Sequence, residues 1–186
     1  MTGVQTCALP IYFDSRWISN EFSRQLVHKW RSEEDAVLVG YNTAWHDNPR
    51  LNVRDWVGRN PIRIVIDKNN SLPQTHHLFD ESQKTIFVNT LDINQKSNKS
   101  VTQNSKLETQ NLFDQLNQKN ILSVIVEGGA NTLNQFIEAG MWDEARVFTS
   151  DQTFGSGILA PTLPMRKSVR EDVFGDGLDW YLNINF

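Results

Sequence analysis

The run ILSVIVEGGANTLNQFIEAG, residues 121–140, decides the fold class. Ile121 to Val126 is almost continuously apolar, as expected of a strand covered on both faces. Glu127-Gly128-Gly129 then ends the strand, and Leu133, Phe136 and Ile137 recur at helical spacing. Strand, glycine turn and helix form the unit of open α/β sheets, which bind ligands where the strand's carboxyl end meets the helix's amino end. Taken alone, a Gly-Gly after a strand reads equally as a plain turn. No G-x-G-x-x-G occurs, which disfavours a Rossmann domain.

Outward from this unit the same alphabet repeats. Phe22, Leu26 and Trp30 mark a helix capped by Ser19 or Asn20, with Glu21 in its first turn. AVLVG at 36–40, IRIVID at 62–67 and TIFVN at 85–89 read as further covered strands. Leu91 to Lys106, rich in Asn, Gln, Ser and Lys, reads as an exposed connection, and Leu112, Phe113 and Leu116 as a helix. EARVFTS at 144–150 is another strand; SVREDVF and LDWYLNINF predict an antiparallel pair turned at Gly175-Asp176-Gly177. The order implies a mostly parallel sheet flanked by helices, with an antiparallel C-terminal edge.

Composition sets bounds on partners. The net charge of -4, with acids and bases interspersed, offers no basic face for nucleic acid and no polybasic membrane anchor. The apolar runs are too short to span a bilayer. Cys7 is the only cysteine, so no disulfide forms within the chain and the reducing cytoplasm is the expected compartment. The four histidines lack zinc spacing, so no metal is expected, and no residue set suggests a covalent nucleophile.

Two further segments carry polar chemistry. Thr43 to Arg54, TAWHDNPRLNVR, reads as a proline-interrupted loop leaving a strand end. In it Arg50 and Arg54 are candidates to grip a phosphate, and Asp47 to accept from a sugar or amine. It reads equally as a solvated Asp-Asn-Pro turn. Ser15-Arg16-Trp17 precedes the first helix; Trp17 is either a packed aromatic or a wall beside a flat ring.

SRWISNEFSRQLVHKWRSEEDAVLVGYNTAWHDNPRLNVR at 15–54, NPIRIVID at 60–67 and VIVEGGANTLNQFIEAGMWDE at 124–144 together resemble the reductase domain of the bifunctional riboflavin-biosynthesis deaminase/reductase family. The resemblance implies a dihydrofolate-reductase-like fold, NADPH as cofactor and a homodimer. It also implies reduction of 5-amino-6-(5-phosphoribosylamino)uracil, a phosphorylated small molecule, to its ribitylamino product. By the same resemblance, Ser15, Arg31, Leu51, Arg54 and Glu127 fall on substrate-binding positions, and Trp17, Thr43 and Asp47 on NADPH-binding ones. Gly129, Ala130, Asn131, Thr132 and Leu133 fall on the cofactor phosphate loop. Lys68 stands near the cofactor, where a lysine could meet a phosphate. Asp47 and Glu127 are the candidates for catalytic work, orienting the sugar or stabilising a protonated imine.

The first eleven residues, MTGVQTCALPI, show neither alternation nor helical spacing. The expectation is therefore a non-native segment at 1–11 that makes no central strand, followed by a reductase domain at 12–186 lacking the family's first strand. Rival readings are an inactive nucleotide-binding fragment and a related reductase of another pterin or pyrimidine. A folate pocket has no use for a phosphate grip, so Arg31 and Arg54 argue against the latter.

Overall fold

The computed structural model describes residues 2–5, 10–11, 14–15, 18–89, 101–152, 157–164 and 169–183, with side chains at 18–89, 109–152, 157–164 and 169–183. Ser15 is described in backbone only, and Trp17 lies outside the described residues.

Asn20 caps the first long helix, α1 (Glu21–Glu33), by accepting from the Ser23 amide. Strand β4 (Ala36–Gly40) is buried throughout, as a strand with both faces covered must be. Its alternation sends Ala36 and Leu38 to one core, Val37 and Val39 to the other. β5 (Ile62–Ile66) and β6 (Thr85–Val88) follow, then α3 (Val101–Gln118), β7 (Val124–Gly128), α4 (Ala130–Glu138) and β8 (Glu144–Thr149). The hairpin β9 (Val169–Val173) and β10 (Asp176–Leu182) ends the described chain. In β7, Val124 and Val126 meet Leu112, Leu116 and Phe136 from α3 and α4. Ile125 faces Val27 and Trp30 of α1, and Glu127, of the same parity, faces that way too.

Together with β1 (Thr2–Gln5), these strands form one sheet in the order β6-β5-β4-β7-β1-β8-β10-β9. Pairing is parallel from β6 to β8 and antiparallel at β10 and β9. A separate two-stranded pair joins β2 (Pro10–Ile11) to β3 (Asp14–Ser15).

Four expectations need correction. Thr2–Gln5 does form a central strand, parallel to both β7 and β8. The position lacked for no strand because the facing edges of β7 and β8 present N–H and C=O groups that backbone of any sequence can pair. Side-chain alternation does not register that demand. Second, the segment after β4 is a short helix, α2 (Tyr41–Asp47), closed by Asn48 in the left-handed conformation before Pro49. One buried residue, Ala44, is too little periodicity to read from sequence. Third, α3 extends back to Val101, within the stretch read as a connection. Fourth, the final hairpin turns at Phe174-Gly175, both at positive φ, while Asp176 is already strand. Asp176 is drawn inward because its carboxylate accepts from the Asn20 amide at 2.8 Å and the Ser23 hydroxyl at 2.6 Å, tying the hairpin to the start of α1.

Candidate active site

After β4 the chain moves outward to β5 and β6, whereas after β7 it moves to β8 on the other side. The order therefore reverses between neighbouring β4 and β7, and open sheets bind ligands at the carboxyl ends of strands at such a switch point. Both strands run directly into helices there, with Gly40 capping α2 and Gly129 capping α4. The two turns press together: a Cβ at Gly40 would lie 2.1 Å from Thr132 Oγ1, and one at Gly129 would lie 3.0 Å from Thr43 Oγ1. Gly128, at φ 149, occupies a region that other residues rarely adopt. The amide groups of α4's first turn, Ala130 to Thr132, lack helical acceptors by geometry and suit an anion.

One expected outcome follows directly. Gly40→Ala lowers stability by about 1–3 kcal/mol through overpacking, and Thr132→Ala in the same chain recovers much of it. A double-mutant cycle by denaturant unfolding checks this; additive effects would mean the two helix starts are not in contact.

Arg31 and Glu127 meet below this crevice. Arg31 Nε and Nη2 donate to the two Glu127 oxygens at 2.6 and 2.5 Å, and both residues are buried. Burial works against the guanidinium's charge. The Glu127 carboxylate, by attraction and hydrogen bonding, outweighs it and holds Arg31 above its ordinary pKa. The third nitrogen, Nη1, donates to the Asn52 carbonyl at 3.0 Å. Arg31 thus links the end of β7 to the loop after α2.

That loop is fixed at every step. The Asn48 side-chain oxygen accepts from the His77 amide at 2.7 Å. Leu51, at φ 52, is buried in the core beside α1, and its carbonyl accepts from Gln83. The Val53 amide donates to Asn60, and the Arg54 amide to His28 Nδ1 at 3.3 Å. His28 Nε2 lies 3.3 Å from the Asp55 carboxylate. Burial, followed by the nearby positive charges of Arg31 and Arg54, drives the His28 pKa down from 6.5 to about 4, with Asp55 and Glu127 opposing. The Arg54 side chain itself is 43% exposed, its Nε 3.7 Å from Asp55.

The structure brings Thr43, Gly129 and Thr132 together and joins Arg31 to Glu127. Ala130, Asn131 and Leu133 lie in α4's first turn, with Leu133 packed on the core rather than toward the crevice. Asp47 is the half-buried last residue of α2. Lys68 and Arg50 are exposed. Sequence reading passed over His28, Gly40, Arg63 and Asp67. Arg63 is fully buried on β5 and donates to the His77, Asp80 and Gln83 carbonyls, shaping the neighbouring loop. Buried Asp67, after β5, accepts from the Leu72 amide at 3.0 Å and so folds the loop carrying Lys68. A histidine and an arginine three apart on an otherwise core-facing helix were the available signal for the first. Among the described residues no cluster of His, Cys, Asp and Glu stands where a metal could be held, and no helix is long and apolar enough to cross a membrane.

Residues 13–173 match the family described as the RibD C-terminal domain. The chain belongs to that family. The riboflavin biosynthesis protein RibD of Aquifex aeolicus is 30% identical over 166 residues, covering 86% of this chain and 46% of that protein. The chain thus spans less than half the length of this relative. A solved Thermotoga maritima structure, described as a diaminohydroxyphosphoribosylaminopyrimidine deaminase and 5-amino-6-(5-phosphoribosylamino)uracil reductase, superposes with a TM-score of 0.76. Its identity is 24%, covering 98% of this chain and 56% of that one. Dihydrofolate reductase from Enterococcus faecalis superposes with a TM-score of 0.55 at 12% identity, over 100% of this chain and 97% of that one. The RibD C-terminal domain fold is thus dihydrofolate-reductase-like.

Proposed function

We propose that this chain reduces 5-amino-6-(5-phosphoribosylamino)uracil at the sugar C1′ to the ribitylamino product, with NADPH as reductant. The observation that carries the reading is Arg31, whose one guanidinium joins the end of β7 in the crevice to the loop that presents Arg54. A nucleotide would rest at the crevice, and a phosphorylated sugar would reach from it to that loop. Family membership supplies the substrate class, and the solved bifunctional relative bears this reduction in its description.

The crevice fits a nicotinamide dinucleotide: glycine turns allow backbone approach, and the α4 amino end favours phosphate. Thr43, Gly129, Ala130, Asn131 and Thr132 would hold it, with Lys68, Asp47 and Trp17 in the same assignment, while Leu133 anchors the α4 turn to the core. When bound it supplies hydride. The chain's own share is positioning and charge shielding. Glu127, with two of its acceptor sites taken by Arg31, retains lone pairs for a sugar hydroxyl, and Asp47 is its partner in orienting the ring-opened sugar. Ser15, Leu51, Arg31 and Arg54 complete the substrate side. A cytoplasmic setting and a homodimer belong to the same proposal.

Arg54→Ala is expected to weaken the phosphorylated substrate by about 1.5–3 kcal/mol, roughly ten- to a hundredfold, and NADPH hardly at all. Arg50→Ala should matter less. The measurement is binding of substrate with and without its phosphate; equal loss for both forms shows that Arg54 does not read the phosphate. Turnover followed by NADPH oxidation tests the whole reading, and its absence with this substrate sinks it.

A further inference from the structure

We infer that His28 is a positioning residue that sets how Arg54 is presented to the phosphorylated end of the substrate; this rests on the reading of the Arg54 loop given above. The imidazole, 3% exposed at its side chain, touches that loop at two atoms. Its Nδ1 accepts the Arg54 amide, which places the ring proton of the neutral form on Nε2, facing Asp55. The two contacts have different effects. The first fixes the Arg54 backbone beside α1, from the same helix whose Arg31 holds the Asn52 carbonyl two residues earlier. The second engages Asp55 Oδ2, the oxygen that also lies 3.7 Å from Arg54 Nε. The imidazole edge beside that oxygen competes with the guanidinium for the acid that would otherwise neutralise it, leaving Arg54 available to an incoming phosphate.

The device works only with neutral imidazole. A proton on Nδ1 removes the acceptor for the Arg54 amide, and a second positive charge then faces Arg31 from α1 and Arg54 from the loop. Asp55 on the loop and Glu127 on β7 are the acids facing the ring. The balance keeps the ring neutral down to about pH 4.

Steady-state NADPH oxidation separates this role from a merely structural one. His28→Ala is expected to raise KM for the phosphorylated substrate about tenfold, the loss of one hydrogen bond and one charge adjustment. It should leave kcat within about twofold and leave KM for the dephosphorylated substrate unchanged. His28→Asn, whose amide oxygen can accept near the Nδ1 position, should restore the KM and also the hydrogen-exchange protection of the Arg54 amide. Should His28→Ala not fold, His28→Gln takes its place, because its acceptor extends past the Arg54 amide. Equal rises in KM for both substrates, a fall in kcat alone, or no rescue by His28→Asn would overturn the inference. If the wild-type chain turns over no substrate, the functional reading fails; titration with ribose 5-phosphate and ribose then decides the inference. A preference for ribose 5-phosphate that weakens in His28→Ala supports it, and no preference or an unchanged one overturns it.

Discussion

Arg31→Ala is expected to destabilise the fold by about 3–5 kcal/mol, the cost of leaving a buried carboxylate without its partner. Glu127 is buried, both its oxygens accept from Arg31, and the guanidinium also satisfies the Asn52 carbonyl, so three contacts are lost together. Glu127→Ala should cost a comparable amount by stranding the cation. The double change Arg31→Met, Glu127→Leu removes both charges and replaces them with apolar volume, which generally restores stability. It should leave NADPH turnover at background, because the link from the crevice to the Arg54 loop is gone. Urea unfolding and NADPH oxidation on the three variants make the comparison. A single variant that loses less than about 1 kcal/mol would show that the pair is not the brace described. A double variant with normal turnover would show that the brace has no part in the reaction.

Stability should also fall between about pH 6.5 and pH 4 by roughly 3 kcal/mol, and His28 should be the cause. In the folded chain its pKa is lowered to about 4, chiefly by burial and then by Arg31 and Arg54, whereas in the unfolded chain it stands at its ordinary 6.5. Within that interval the unfolded state binds a proton that the folded state refuses, so acidification favours unfolding. Above pH 6.5 the ring is neutral in both states and the contribution is complete. Asp35, held below its ordinary value by Arg59 and the Leu122 amide, and Asp80, held down by Ser82 and Arg63, act the same way in direction. Their windows lie below 3.8, beneath that of His28. His28→Asn should therefore flatten the stability profile between pH 6.5 and 4 while preserving the acid limb below it. Chemical denaturation at stepped pH measures both; an unaltered slope in the variant would remove His28 as the source.

Where the sequence was readable, burial explains why. The runs at 36–40 and 124–126 are apolar at every position because helices cover both faces of the sheet, and the structure buries them so; in 62–66 only Arg63 interrupts the apolar run. Asn20 as a cap and the glycines at 128–129 are local requirements, met within a few residues and visible as such. α2 escaped notice because a helix of one buried residue is held by its place between Gly40 and Asn48 rather than by a face of its own.

The sequence by itself determined the parallel α/β class, the glycine turn after β7 and the residue types suited to phosphate and sugar. All of these depend on neighbours in the chain and on which side chains avoid water. Only the tertiary structure decided that Arg31 embraces Glu127, 96 positions away, and that His28 holds the Arg54 amide. It also decided that Gly40 must be bare because Thr132 stands against it, and that a strand lies between β7 and β8. These are pairings across the sheet and between helix and loop. Their partners are chosen by three-dimensional proximity and by the need of buried charges and backbone groups for a mate, neither of which leaves a periodic trace along the chain.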